Sequence, residues 1–135
     1  MEISKVNEYS YSYAEYNITD GKYEIRCICN SVPLPNGLEP KQGMKIKKLY
    51  AFCYDENQAV QRSENNNYSC VKTEKYGFQY KVVGNIYDKE NKLIKFYDFI
   101  VSLEFLRDEV LEKFNKGEYV SLIIDRFECD LEVCL

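Results

Sequence analysis

Asn17-Ile18-Thr19-Asp20-Gly21-Lys22-Tyr23 is the most informative local segment of the chain. Asp-Gly between two alternating segments is the strongest short-range hairpin signal, because a type I′ turn requires positive φ at both central residues. With Asp20-Gly21 as a two-residue loop, Thr19 faces Lys22, Ile18 faces Tyr23, Tyr16 faces Ile25, Ala14 faces Cys27 and Ser12 faces Cys29. These pairs share a core face. Asn17 opposite Glu24 and Glu15 opposite Arg26 share the other, as an oppositely charged cross-strand pair in solvent should. A slip of one residue would exchange the faces, so the alternation itself specifies the register. Further from the turn, Tyr13 falls opposite Ile28, Tyr11 opposite Asn30 and Tyr9 opposite Val32. The second face is therefore wet near the tip and aromatic near the base.

Residues 33–40 contain all three prolines and an Asn-Gly pair, and read as a loop. Residues 45–54 read as a third strand; its end, Leu49 to Tyr54, is apolar on both faces and so belongs in a central position. Residues 55–75 are polar and Asn-rich, a long surface loop or insertion. Tyr76, Phe78, Tyr80, Val82, Gly84 and Ile86 alternate with mostly polar residues; Asp88 to Asn91 turns the chain, and Leu93 to Leu103 returns as a strand.

The period then changes. Leu103, Leu106, Val110, Leu111 and Phe114 occupy one face of a helix over about 103–116, with Ser102 as N-cap and Gly117 as terminator. In the last strand Val120, Leu122 and Ile124 share a face. After Asp125-Arg126 the phase flips to Phe127, Cys129, Leu131, Val133 and Leu135, as a bulge or bend produces. The expected fold is α+β and β-rich: about six antiparallel strands in a curled sheet or small OB-like barrel, with one helix before the last strand. If that strand splits, residues 45–135 follow the β-β-β-α-β-β order of an OB-type barrel.

Composition bounds the rest. At 135 residues the chain fits a single domain over 1–135. It holds 13 Tyr and 7 Phe without Trp, a bias towards half-buried pleated surfaces. The first residues lack the apolar run of a signal peptide and no segment is long enough to span a membrane, so a cytoplasmic location and reduced cysteines are expected. No histidine is present, which removes the commonest general base and the commonest ligand for zinc. No phosphate-cradling glycine loop occurs either. Together these weigh against an enzyme, and no cofactor is expected.

Cys27-x-Cys29 places two thiols on one strand face some 6–7 Å apart. Structural zinc prefers Cys-x₂-Cys knuckles, so core packing is the better account and no metal site is expected. Cys129 and Cys134 face opposite sides of their strand.

Four features remain as binding candidates. Asp98, between Phe96 and Ile100 on an apolar face, needs a partner if buried, and Arg126 at the expected bend could supply it; the alternatives are a structural ion pair or an edge facing water. Tyr9, Tyr11 and Tyr13 form an i, i+2, i+4 ladder that could stack bases, form a protein interface or simply pack. Lys45, Lys47 and Lys48, with Lys41, are a phosphate-track candidate within a chain of net charge −4. Residues 104–135, with nine acidic against four basic side chains, would attract a basic partner. The expected function is a small cytosolic protein-binding domain, such as an acidic inhibitor or immunity-type protein. The alternative is an OB-like barrel binding single-stranded nucleic acid or a small ligand.

Overall fold

The computed structural model describes residues 1–29, 33–74 and 77–132, with the backbone alone at 57 and 58. It contains eleven strands, mostly antiparallel, rather than about six. The chain divides into two compact units, one of Met1–Leu49 with Phe127–Leu135 and one of Tyr50–Arg126.

In the first unit, β1 (Glu2–Tyr9), β2 (Ala14–Thr19) and β3 (Glu24–Cys29) form successive antiparallel hairpins. β11 (Arg126–Leu131) lies parallel to β3, with Phe127 beside Cys27, and β4 (Ile46–Phe52) begins next to β11. β1 was not expected as a separate strand. A turn closed by Ser10 N–H donating to Tyr13 O at 2.7 Å breaks the tyrosine run between it and β2. Two register shifts bulge β1.

The β2–β3 register departs from the two-residue loop. Ile18 pairs with Ile25, Tyr16 with Cys27 and Glu15 with Ile28, leaving Asp20 to Tyr23 as a four-residue loop. Side-chain hydrogen bonds explain the difference: Asp20 Oδ1 accepts from the backbone N–H of Lys22 at 2.9 Å and Tyr23 at 2.8 Å, and Thr19 Oγ1 accepts from Gly21 N–H. Asx-type bonding thus wins over the tight turn. The displacement is two residues, so the faces are preserved. Ala14, Tyr16, Ile18, Ile25, Cys27 and Cys29 are all buried, with Phe127, Cys129 and Leu131. Tyr23 leaves the core for the exposed loop. The expected partners Asn30 and Val32, the strand start at Tyr76, and Val133, Cys134 and Leu135 lie outside the described residues.

In the second unit the hydrogen-bonded order runs from the end of β4 through β9 (Phe99–Ser102), β8 (Leu93–Phe96), β7 (Tyr80–Asp88) and β10 (Tyr119–Ile124) to β5 (Val60–Arg62), with β6 (Ser69–Lys72) also on β7. The order of the named strands does not close, although the start of β1 bonds to the segment leading into β4: Ile3 N–H donates to Met44 O at 2.8 Å and Ile46 N–H to Met1 O at 3.0 Å. The segment expected as a loop over 55–75 contains β5, β6 and a short helix α1 (Glu56–Ala59). With these strands present, residues 45–135 do not follow the β-β-β-α-β-β order.

The expected return strand is itself a hairpin, turned at Tyr97-Asp98 with Tyr97 at φ 52°. The expected helix contracts to α2 (Asp108–Glu112). Leu103, Leu106, Leu111 and Phe114 are nonetheless buried, because a tight turn with Leu106 N–H on Leu103 O delivers the first two. Ser102 caps nothing helical; it ends β9, and its Oγ accepts from Glu104 N–H at 3.2 Å. The split of the last strand and its phase flip occur where expected: Val120, Leu122 and Ile124 are buried in β10, Phe127 and Cys129 in β11.

Candidate functional site

The expected site residues fall in separate places. Tyr9, Tyr11 and Tyr13 are not a ladder: Tyr9 ends β1, Tyr11 is 79% exposed in the turn, and Tyr13 leads into β2. Burial, then the charges of Glu15 and Glu8, push the Tyr13 hydroxyl up from its ordinary value. Lys47 and Lys48 are exposed on β4, and Lys45 meets Glu2 in a loose ion pair at 3.5 Å. Asp98 is exposed in the β8–β9 turn rather than set on the buried face of Phe96 and Phe99, so the need for a buried counter-ion disappears.

Arg126 leads to a surface that the sequence left unassigned. Alternation along β4 and beyond puts Tyr50, Phe52 and Tyr54 at i, i+2, i+4, with Ala51 buried between the first two. The Arg126 guanidinium lies 4.7 Å from the Phe52 ring centroid and 5.8 Å from that of Tyr54, and its Nη1 donates to the Tyr54 hydroxyl at 2.7 Å. Phe105, delivered by the turn before α2, stacks on Phe52 with centroids 4.4 Å apart and sits 5.5 Å from Tyr50. Phe105 is 50% exposed and Tyr54 72% exposed. Four rings and a guanidinium therefore form one contiguous surface cluster. Each cation–π contact contributes on the order of 0.5–1 kcal/mol in water and also restricts the rings to one arrangement.

Beside Tyr54 opens a cavity of about 280 Å³, lined by Tyr54, Asp55, Ala59, Gln79, Ile123 and Asp125. Asp125 organises it, accepting from Tyr54 N–H at 2.7 Å and from Gln79 Nε2 at 2.8 Å. Both carboxylates face a small, partly apolar space. Nearby, the Cys53 thiol is pushed up to about 12 by burial, then by the negative charges of Asp125 and Glu56.

No protein-family model, curated protein or solved structure matches this chain.

A wider cleft of about 430 Å³ is lined by residues including Tyr68, Asn85, Tyr87, Lys95 and Lys116, with Tyr97 and Tyr119 packed against Tyr68 at 5.9 and 5.6 Å. In the first unit, Cys27 Sγ lies 3.1 Å from Cys129 Sγ within the core. Five cysteines are free thiols, and no group of three or more acidic or cysteine side chains placed to hold a metal occurs among the described residues. No helix among them is long and apolar enough to cross a membrane.

The arrangement presents exposed rings, one fixed guanidinium and an acidic recess. The alternation of Tyr50, Phe52 and Tyr54 was readable as a stripe from sequence. Phe105 and Arg126 carried no signal tying them to it.

Proposed function

We propose that this chain is a small, non-enzymatic, cytosolic domain that binds a basic protein, as an acidic inhibitor or immunity-type protein would, through the face of Phe52, Tyr54, Phe105 and Arg126. The observation that carries this reading is the exposure of the Phe105–Phe52–Arg126–Tyr54 cluster together with its mutual fixation. Aromatic and arginine side chains dominate binding hot spots, and rings already held in place lose little freedom on association. Acidic residues flank the cluster in sequence: Asp55 beyond Tyr54, Glu104 before Phe105 and Glu109 in α2, while Glu56 and Asp108 are paired with Arg107 and Lys92. They would steer a basic partner and raise its association rate.

Affinity capture from the native cell at low salt should retain a basic protein on the wild-type chain, with Phe105→Ser weakening it by about 30-fold, the scale of a 2 kcal/mol hot spot. Phe105 is half in solvent, so the variant keeps its fold. Retention of the same partner by Phe105→Ser at unchanged affinity would remove this face from the interface.

A second reading, a module for single-stranded nucleic acid or a small ligand, draws support from the Tyr68–Lys95–Lys116 cleft, without the OB-like barrel first expected to carry it. Strong, steeply salt-dependent binding of single-stranded DNA or RNA would favour it over the first.

A further inference from the structure

We infer that the cavity beside Tyr54 is a socket for one lysine or arginine side chain projecting from the basic partner, an assignment that rests on the protein-binding reading above.

Size is the first ground. At about 280 Å³ the cavity falls just below the range of roughly 300–1,000 Å³ that encloses drug-sized ligands, and suits a single long side chain. Chemistry is the second. Ala59 and Ile123 offer apolar wall for a methylene stem, Tyr54 offers an aromatic ring, and Asp55 and Asp125 offer acceptors for the charged head. Among the described residues neither Asp55 nor Asp125 is in an ion pair; the bonds of Asp125 go to a backbone amide and a neutral amide side chain. Neighbouring Glu56 is different, its charge being matched by Arg107 at 2.7 Å. Two carboxylates outside any ion pair give the recess a negative field; the Cys53 thiol beside it is pushed up by burial first, then by Asp125 and Glu56.

Position is the third ground. The Tyr54 ring is anchored at its hydroxyl by Arg126 and its backbone by Asp125, so the wall of the recess is in place before any partner arrives. The socket borders the aromatic face, so a partner seated on Phe105 and Phe52 would have a cationic side chain within reach.

The probe is an end-blocked tetra-arginine peptide, titrated into the full chain and followed by amide chemical shifts, with the tetra-citrulline peptide as its uncharged equivalent. The arginine peptide should bind with a Kd of about 1 mM, shift the amides of Tyr54, Asp55, Ala59 and Ile123 together, and lose affinity as salt rises. Citrulline should shift none of them. Asp55→Asn should weaken the peptide by about three- to fivefold, the scale of one partly exposed ion pair, and Asp55→Lys should abolish it. Asp55 is exposed and makes no fold contact of the kind Asp125 makes, so both variants should fold as the wild type does.

Equal binding of citrulline, absence of arginine binding, binding undiminished in Asp55→Lys, or preference for free spermidine over the peptide would each overturn the socket. Phe105→Ser separates this inference from the one beneath it, because Phe105 does not line the cavity. A captured partner lost with Phe105→Ser but held at full strength by Asp55→Lys sinks the socket and leaves the aromatic interface standing. Peptide binding intact in Phe105→Ser and lost in Asp55→Lys supports the socket.

Discussion

Glu15 is a carboxylate with 4% of its surface exposed, and it survives there because Arg26 Nε donates to its Oε1 at 2.6 Å. The two are not directly opposite: Glu15 pairs with Ile28 and Arg26 with Asn17, so the ion pair is diagonal across the ladder. Glu128 is also buried and lies beside Ile28 on β11. Removing the guanidinium strands a desolvated carboxylate, whereas removing both partners strands nothing. Arg26→Ala should therefore lower the unfolding free energy by about 1–3 kcal/mol in urea titration, and Glu15→Gln with Arg26→Ala should recover part of it. A loss from Arg26→Ala no larger than that from substituting an exposed lysine would show that Glu15 is solvated after all. The Glu15–Arg26 pairing was legible in the sequence; its burial was not, because burial depends on neighbours that the two-strand pattern does not contain.

Among the elements, the β7–β8 pair shows how close two strands come when one omits a side chain. A Cβ at Gly84 would lie 2.5 Å from the Lys95 carbonyl oxygen and 3.3 Å from Phe96 Cβ. Backbone cannot yield as a flexible side chain does, so Gly84→Ala should cost about 1–3 kcal/mol, measured by denaturant midpoint, despite the higher strand propensity of alanine. A neutral outcome would mean that the two strands can separate freely at this point. The same elements explain what the sequence could tell. Alternation marked the apolar core face of β2, β3, β7, β10 and β11, since a pleat has only two faces, but not Glu15, Val83 and Glu128, which are buried on the other. Loop lengths followed other rules. Asp20 and Thr19 bond to their own backbone and open the first hairpin by two residues; Tyr97 turns the chain with neither glycine nor proline to mark it. Leu103, Leu106, Leu111 and Phe114 have helical spacing, yet successive tight turns bury the same set with one short helix. The aromatic face was least legible, because Phe52 acquires its neighbours Phe105 and Arg126 from a turn and a strand end remote in sequence.

At the scale of the molecule, acidic side chains that hold their protons are spread over both units. Burial pushes Cys53 and Cys70 up to about 12, and Tyr16 and Cys129 are raised as well, Tyr16 chiefly by burial and Cys129 chiefly by its hydrogen bond with Cys27. In the unfolded chain a thiol loses its proton near its ordinary value, so above about pH 9 the folded state binds more protons than the unfolded one and stability falls as pH rises. The contribution of Cys53 and Cys70 is complete below pH 9 and disappears progressively between 9 and 12. The thermal midpoint should drop steeply over that interval, and Cys53→Ser with Cys70→Ser should flatten the drop. An alkaline limb unchanged by both substitutions would assign it to other groups.

The parallel pairing of β3 with β11 also bears on how the protein is made. Cys27 and Phe127 are hydrogen-bonded neighbours a hundred residues apart in sequence. At roughly 5–20 residues per second the ribosome needs about 5–20 s to travel from one to the other. During that time the β3 edge has no β11 beside it, while residues 50–126, a continuous stretch of chain, are being made. The nascent β2–β3 hairpin, with Ile25, Cys27 and Cys29 ready for a core that does not yet exist, is the species that a holdase chaperone would meet.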